Sequence, residues 1–444
     1  MSYKIHHQCF IFCIIFFMFM PGNVWAESPD FPYALTTITP GPVALSLGGS
    51  SIANIYDPSA AIQNPALLVF ISQPQVTLST YSAFHKEIAS IDDDHYLVSG
   101  ARNVNEFHLA YCGITYPFQL FSMNMAAAIS YHPRFSFERS LSLIQNDEQE
   151  MTDQRLWHLR QQGYMSALSF SYGVQIDPRW MLGVTCNFWR DDLMDNHWEQ
   201  QISMNGYRQS GTLRFNEYHK KSISHEDKGI NFDVGLLWKI SSRLIAGAMI
   251  QTRRSNDIQT TISEQSVFDN DTTVPTILYT HPVTRWDDIQ IPMTMGLGVS
   301  FSIHKHWQLL MDFRQIYWEK FHHTSPQQST TQFISGRSDD TDENLRVHII
   351  NLGTEYRCNT SIASFDTLFR MGFSICTDRG IVHPEPDTAL GFGFGLIGKQ
   401  LDFNFGYQYQ QYGHQEQNII TDGFLKNTVR NTVIQMSITY RFSI

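Results

Sequence analysis

Leu401-Asp-Phe-Asn-Phe-Gly-Tyr-Gln-Tyr-Gln410 decides the fold. Leu401, Phe403, Phe405, Tyr407 and Tyr409 alternate there with Asp402, Asn404, Gly406, Gln408 and Gln410. Side chains of a strand point to opposite faces in turn, so one face here is apolar and the other polar or small. The same period of two runs through 293–302, where Met293, Met295, Leu297, Val299 and Phe301 alternate with Thr294, Gly296, Gly298, Ser300 and Ser302. It returns in 164–176, with Leu168, Phe170, Tyr172 and Val174 against Ala167, Ser169, Ser171 and Gly173. Runs of about ten residues with aromatics at their apolar ends are the pattern of strands that face hydrocarbon outside and an enclosed lumen inside. A soluble β-sandwich alternates too, but its strands are shorter and its buried face carries fewer tyrosines and tryptophans at strand ends.

The connections alternate in length. Short links fall at 116–122, 177–179, 241–243, 304–306, 358–365 and 398–400, and long polar ones at 88–104, 139–163, 193–229, 255–288, 321–344, 377–388 and 412–428. Short turns on one side and long loops on the other are the signature of bacterial outer-membrane barrels. Counting strands between the links predicts fourteen, from 75–86 to 429–444, with 289–303 as one unbroken strand. The last carries Ile434, Met436, Ile438, Tyr440, Phe442 and Ile444 on one face, and its Tyr-x-Phe ending resembles the signal read by outer-membrane assembly machinery.

Bulk composition agrees. Of 444 residues, 13% are aromatic and 16% charged, and the formal net charge is −11. Such a balance argues against nucleic-acid binding, which needs basic patches. Residues 1–26 read as an export signal: Lys4, an apolar run from Phe10 to Met20, Pro21-Gly22, then Val24-Trp25-Ala26. The apolar run is short of the roughly 20 residues a spanning helix needs. Cys112, Cys186, Cys358 and Cys376 follow the signal without ligand-like spacing and read as free thiols, Cys112 and Cys376 on the polar face and Cys186 on the apolar one.

Ahead of the strands lies a small-residue, turn-rich stretch: Gly41-Pro-Val-Ala-Leu-Ser-Leu-Gly-Gly-Ser50, then Asp57-Pro-Ser-Ala-Ala-Ile-Gln-Asn-Pro65-Ala-Leu-Leu-Val-Phe70. A compact non-strand segment before such a series reads as a plug. The order of the glycine pair, Asp-Pro-Ser-Ala and Asn-Pro-Ala after an export signal resembles the N-terminal hatch of FadL-type outer-membrane transporters of hydrophobic compounds. Ile291-Pro-Met-Thr-Met-Gly-Leu-Gly-Val-Ser-Phe301 with Tyr317-Trp318-Glu-Lys-Phe321, and His383-Pro-Glu-Pro-Asp387 with Gly391-Phe-Gly-Phe-Gly395, extend the resemblance over the mature chain. It implies an all-β, 14-stranded antiparallel transmembrane barrel plugged by a partly helical hatch. The domains expected are a signal peptide over 1–26, a hatch over 27–73 and a barrel over 74–444.

Candidate functional residues follow from the parts of such a device. In the hatch, Gly48 and Gly49 permit close approach or positive φ, and Asp57-Pro58 is turn chemistry. Ser59 is a candidate cap for a helical turn over 60–70. Asn64-Pro65 would interrupt a single helix and favours two short turns. These are the gating candidates, and the resemblance implies a segment whose shift opens a path. Pro133 beside His132 cannot donate to a ladder and is the candidate for a lateral opening, a feature the resemblance also implies. Arg314, Arg370 and Arg441 fall on the lumen face. Arg370 and Arg314 are the candidate contacts for a ligand carboxylate, with Arg314 two residues from Asp312. A charge on the lipid face would cost about 2–4 kcal/mol at mid-membrane, which favours that facing.

The chain lacks GxxxxGK[ST], HExxH and GxSxG. His108 and His158 near serines are expected by chance among 18 histidines, so no catalytic set is assigned and no cofactor is expected. His304-Lys305-His306 offers two ligands without a third, so no metal is expected. The expectation is a monomer in the outer membrane of a Gram-negative bacterium. It would touch bilayer lipid, the assembly machinery and a hydrophobic small molecule, best guess a long-chain fatty acid. The alternatives are a structural or assembly barrel like the PorV-type shuttles, without transport, and a porin-like diffusion channel.

Overall fold

The computed structural model describes residues 36–54, 59, 62–92, 96–147, 153–192, 196–210, 213–269, 275–279, 281–317, 320, 322–324, 346–362, 365–377, 386–417 and 424–443. The export signal, Asp57 and Pro58 lie outside them. Fourteen strands close an antiparallel barrel. They are β1 Gln75–Asp92, β2 Tyr96–Leu120, β3 Met123–Ser136, β4 Asp153–Gln175, β5 Trp180–Arg190, β6 Leu213–Lys239 and β7 Leu244–Gln251, then β8 Thr294–His304, β9 Trp307–Tyr317, β10 Arg346–Ile362, β11 Phe365–Thr377, β12 Asp387–Ile397, β13 Leu401–Gln417 and β14 Phe424–Arg441. Each pairs with its neighbour in sequence. The first and last join in register from Gln75↔Arg441 to Ser90↔Lys426, which removes the free edges a sheet would otherwise present.

The period of two sets the facing. In β13 Asp402 and Asn404 are buried in the lumen while Leu401 stands exposed. Phe232 and Val234 on β6, Leu297 and Phe301 on β8, and Phe369 and Met371 on β11 likewise face outward. This apolar belt requires hydrocarbon around it, because no soluble protein leaves so many large side chains bare on every strand. At the short-turn end Trp180 and Trp238 stack at 5.1 Å, where amphipathic rings suit the membrane–water boundary.

Three sequence expectations change. Much of the chain assigned to the long loops is strand. Arg139–Asp147 pairs with β2 and β4, His197–Ser210 with β4 and β6, and Arg254–Asp269 with β6, while Thr276–Tyr279 and Val283–Ile291 pair with Arg254–Asp269. Its buried apolar residues, among them Leu141, Leu143, Trp198, Ile258 and Ile289, are too few among polar neighbours for a period of two to reveal the strands. The strand expected over 289–303 is broken at Pro292-Met293, where β8 begins below and Val283–Ile291 ends above. The residue facing in β2 inverts at an irregularity opposite Ser79/Thr80 that leaves Ala110 unpaired. Below it Tyr111 turns inward and Cys112 pairs with outward Leu78, so Cys112 sits on the lipid side rather than the lumen side. Cys112, Cys186, Cys358 and Cys376 form no disulfide.

Candidate functional site

Residues 36–54, 59 and 62–71 sit inside the barrel. A five-residue helix, α1 Pro42–Ser46, runs into Gly48 at φ 66 and Gly49 at φ 92. A 3-10 turn over Pro65–Phe70 follows Asn64, whose side chain caps it by accepting from the Ala66 amide at 3.2 Å. Asn64 caps this turn because Pro65 supplies the first helical position and starts the turn there. The short-turn architecture expected from Pro65 is present, and Asn64 also donates to the Ile52 carbonyl at 2.7 Å.

The wall admits this segment because its lumen face lacks side chains where the two meet. A Cβ on Gly372 would lie 2.0 Å from the Leu47 carbonyl carbon, one on Gly183 2.3 Å from the Ala66 nitrogen, and one on Gly406 2.4 Å from the Pro42 oxygen. Backbone thus rests directly on backbone across β5, β11 and β13. Apolar plugs fill between: Ala66 and Leu67 against Met181 and Leu237, and Val43 and Leu47 against Leu310.

On β9 the wall offers charge instead. The Asp312 carboxylate accepts the Ser51 and Ile52 amides at 2.7 and 3.0 Å. Arg314 donates to the Gly49 carbonyl and Ser51 hydroxyl, both at 2.9 Å, and to Gln63. Arg314 also lies 3.6 Å from Asp312. The two residues grip the glycine turn from opposite charges. Arg370 lies two residues below Gly372, toward the short-turn end, and its guanidinium donates to Glu355 at 2.6 Å and Asn404 at 2.9 Å. Arg441 is held by Asp402.

Above the hatch the wall has a gap. The β2–β3 ladder runs from Leu120↔Met123 to Cys112↔Tyr131 and ends one residue before His132. The next pairing of β2 on that side is Ser99↔Ile144. From Gly100 to Ala110, β2 shows no ladder pairing on this side among the described residues. β3 meanwhile stays paired to β4 through an irregularity at Pro133/Phe135. Its freed edge is taken by the first hatch residues: Thr36↔Ser136, Thr37↔Phe135, and the Ile38 amide to the Arg134 carbonyl at 2.9 Å. Side chains span the gap, with Ser136 donating to Glu106 at 3.1 Å and Glu106 meeting His85 at 2.5 Å.

Inside the upper lumen a set of residues came together that sequence reading did not single out. Phe135, Phe137, Met165, Trp189, Trp198, Ile258 and Ile289 form one buried cluster. Arg254 lies over the Trp189 ring at 3.9 Å and 3.5 Å from Asp227, and Arg134 stands 3.7 Å from Asp233. The signal that could have found it is the density of Trp and Phe in stretches too polar for lipid contact. His304 and His306 stack at 5.6 Å in the turn after β8. Burial, then Lys305, His304 and Arg357, push the His306 imidazole below its ordinary value. No group of three metal-ligating side chains occurs among the described residues. His108 packs on Tyr81 and Tyr164, and His158 meets Ser142 at 2.9 Å without an acid completing a relay among its described contacts.

These features define a class: a fourteen-strand transmembrane barrel closed by its own leading segment, with a break in the wall above the plug. The chain belongs to the BamG family, whose model matches residues 43–434. A search of curated proteins finds no match. Among solved structures it is similar to a Pseudomonas aeruginosa FadL homologue, at 12% identity and a TM-score of 0.62 over 94% of this chain and 100% of that one. It is also similar to the P. putida toluene transporter TodX, at 13% identity and 0.59 over 91% and 99%. The Ralstonia pickettii toluene transporter TbuX matches at 14% identity and 0.54 over 91% and 98%. The FadL-type architecture read from the sequence is thus shared, while the family defined by sequence is BamG.

Proposed function

We propose that this chain sits in the outer membrane of a Gram-negative bacterium as a monomer and passes hydrophobic compounds sideways into the bilayer. The gap between β2 and β3 directly above a fixed floor carries the reading. A greasy solute entering from the outer loops meets the hatch below and the opening beside it, and need not cross a hydrated lumen. The hatch acts as floor rather than gate, since its backbone lies against wall glycines and the Asp312–Arg314 pair. Long-chain fatty acids are the first substrates to test, and the likeness to solved toluene transporters makes monoaromatic compounds the second. No cofactor enters, because affinity and the downhill gradient drive transfer. The C-terminal strand is the segment the assembly machinery would read. Arg314 and Arg370 are both engaged by protein partners, so a ligand carboxylate would have to compete with Gln63 or Glu355.

A second reading is a structural or assembly barrel without transport. The tight seating of the hatch and the full burial of Phe137 and Trp198 in the upper lumen favour it. Liposome uptake of a labelled fatty acid, toluene and a hydrophilic sugar separates them. Lateral uptake predicts entry of one hydrophobic compound and exclusion of the sugar. A barrel that admits none is structural, and one that admits the sugar is a diffusion channel.

A further inference from the structure

The first hatch residues occupy the very edge that β2 leaves vacant. From Thr36 to Ile38 they complete the hydrogen bonding of β3 at Arg134–Ser136. On their other side Ile38 packs with Tyr81 and Ala83 of β1, Ala110 of β2 and Val433 of β14, and Gln435 donates to the Thr39 carbonyl at 2.7 Å. Four residues thus tie β3 to the opposite margin of the gap from within the lumen. A strand edge with unpaired amides and carbonyls seeks a partner, and two such edges of one sheet pair when nothing separates them. Pro133 lacks an amide proton, but the pairing with Thr36–Ile38 shows that the β3 edge is competent again from Arg134 onward.

We propose that the Thr36–Thr39 segment is a strut that holds the side opening apart, standing in the ladder where β2 would otherwise close on β3. It rests on the lateral route proposed above for its role in transport, though not for its mechanics. When the strut leaves, Arg134–Ser136 are free to take β2 as partner and the opening narrows. The Glu106–Ser136 contact already bridges the two margins at that level, so the closing movement is short.

Hydrogen exchange on the full-length detergent-solubilised protein tests this. Alternate amides from Gly100 to Ala110 face the gap, and closure of β2 on β3 would give them ladder partners. Ile38→Pro removes the amide that donates to Arg134, and Gln435→Ala removes the tie to Thr39 without touching the β3 edge. Both are expected to slow exchange across 100–111 relative to wild type. A Thr37→Cys/Phe135→Cys pair, in a chain whose four native cysteines are serine, is expected to form a disulfide and keep wild-type exchange there. Unchanged or faster exchange across 100–111 in both release variants, with the barrel intact by circular dichroism, overturns the strut. If exchange slows but wild type moves neither fatty acid nor toluene into liposomes, the strut stands and the transport reading falls. If wild type transports and exchange is unmoved, the reverse holds.

Discussion

At the residue scale, Asp312 is the side chain on which the hatch depends most. It is 1% exposed, accepts two hatch amides and neutralises Arg314. Removing one partner of a buried pair leaves the other charge uncompensated, at a cost of about 3–5 kcal/mol. Asp312→Ala is therefore expected to loosen the glycine turn, read as faster amide exchange at Ser51 and Ile52 with barrel exchange unchanged. Gly372 is the steric counterpart. A Cβ there would meet the Leu47 backbone at 2.0 Å, and neither side is a flexible side chain that could yield. Gly372→Val is expected to unseat α1, so that a protease cuts the hatch of the variant but not of wild type. The sequence showed that glycines crowd the lumen face. It did not show that their absent side chains are the socket for the hatch, because which strand faces which hatch residue depends on barrel closure. Alternation puts Arg314 and Arg370 on the lumen face, but not their partners: Glu355 meets Arg370 from the neighbouring strand by register, and Gly49, Ser51 and Gln63 meet Arg314 from far along the chain.

At the element scale, β3 is the strand whose departure from regularity matters. Its ladder with β2 ends at Tyr131, two residues before Pro133, and the bulge that skips Arg134 turns Phe135 and Phe137 into the aromatic cluster. Pro133→Ala restores an amide proton and a strand-compatible backbone. The expected result is slower exchange across 100–111 and lower uptake of whichever hydrophobic compound wild type admits, with uptake unchanged counting against the lateral route. In the sequence Pro133 marks this part of the strand, while the ladder itself stops at Tyr131. The bulge at Ala110 left no such mark, since Tyr111 and Cys112 fit either face and only pairing decides. The outer strands were legible only as polar chain. Lys221 meets Glu264 across strands in water, where alternation of hydropathy has nothing to report.

At the scale of the whole molecule, the question is whether the barrel is a pipe. Porins conduct because a hydrated path runs their full length. Here Leu47 and Leu237 are fully buried at the level of the hatch, with wall glycines against hatch backbone on several strands. Above them the charges are matched, Arg254 to Asp227 and Arg134 to Asp233, and Arg254 is further held by the Trp189 ring. Below, Arg370 meets Glu355 and Arg441 meets Asp402. An ion would have to displace backbone packed on backbone and then enter a lumen whose fixed charges already satisfy one another. The wild-type protein is accordingly expected to be electrically silent in a planar bilayer at either polarity. Gly372→Val, by lifting the hatch from its seat, should produce discrete conductance steps. Steady current through wild type would show that the floor leaks, and the sideways route would then have no structural reason to be preferred over a vertical one.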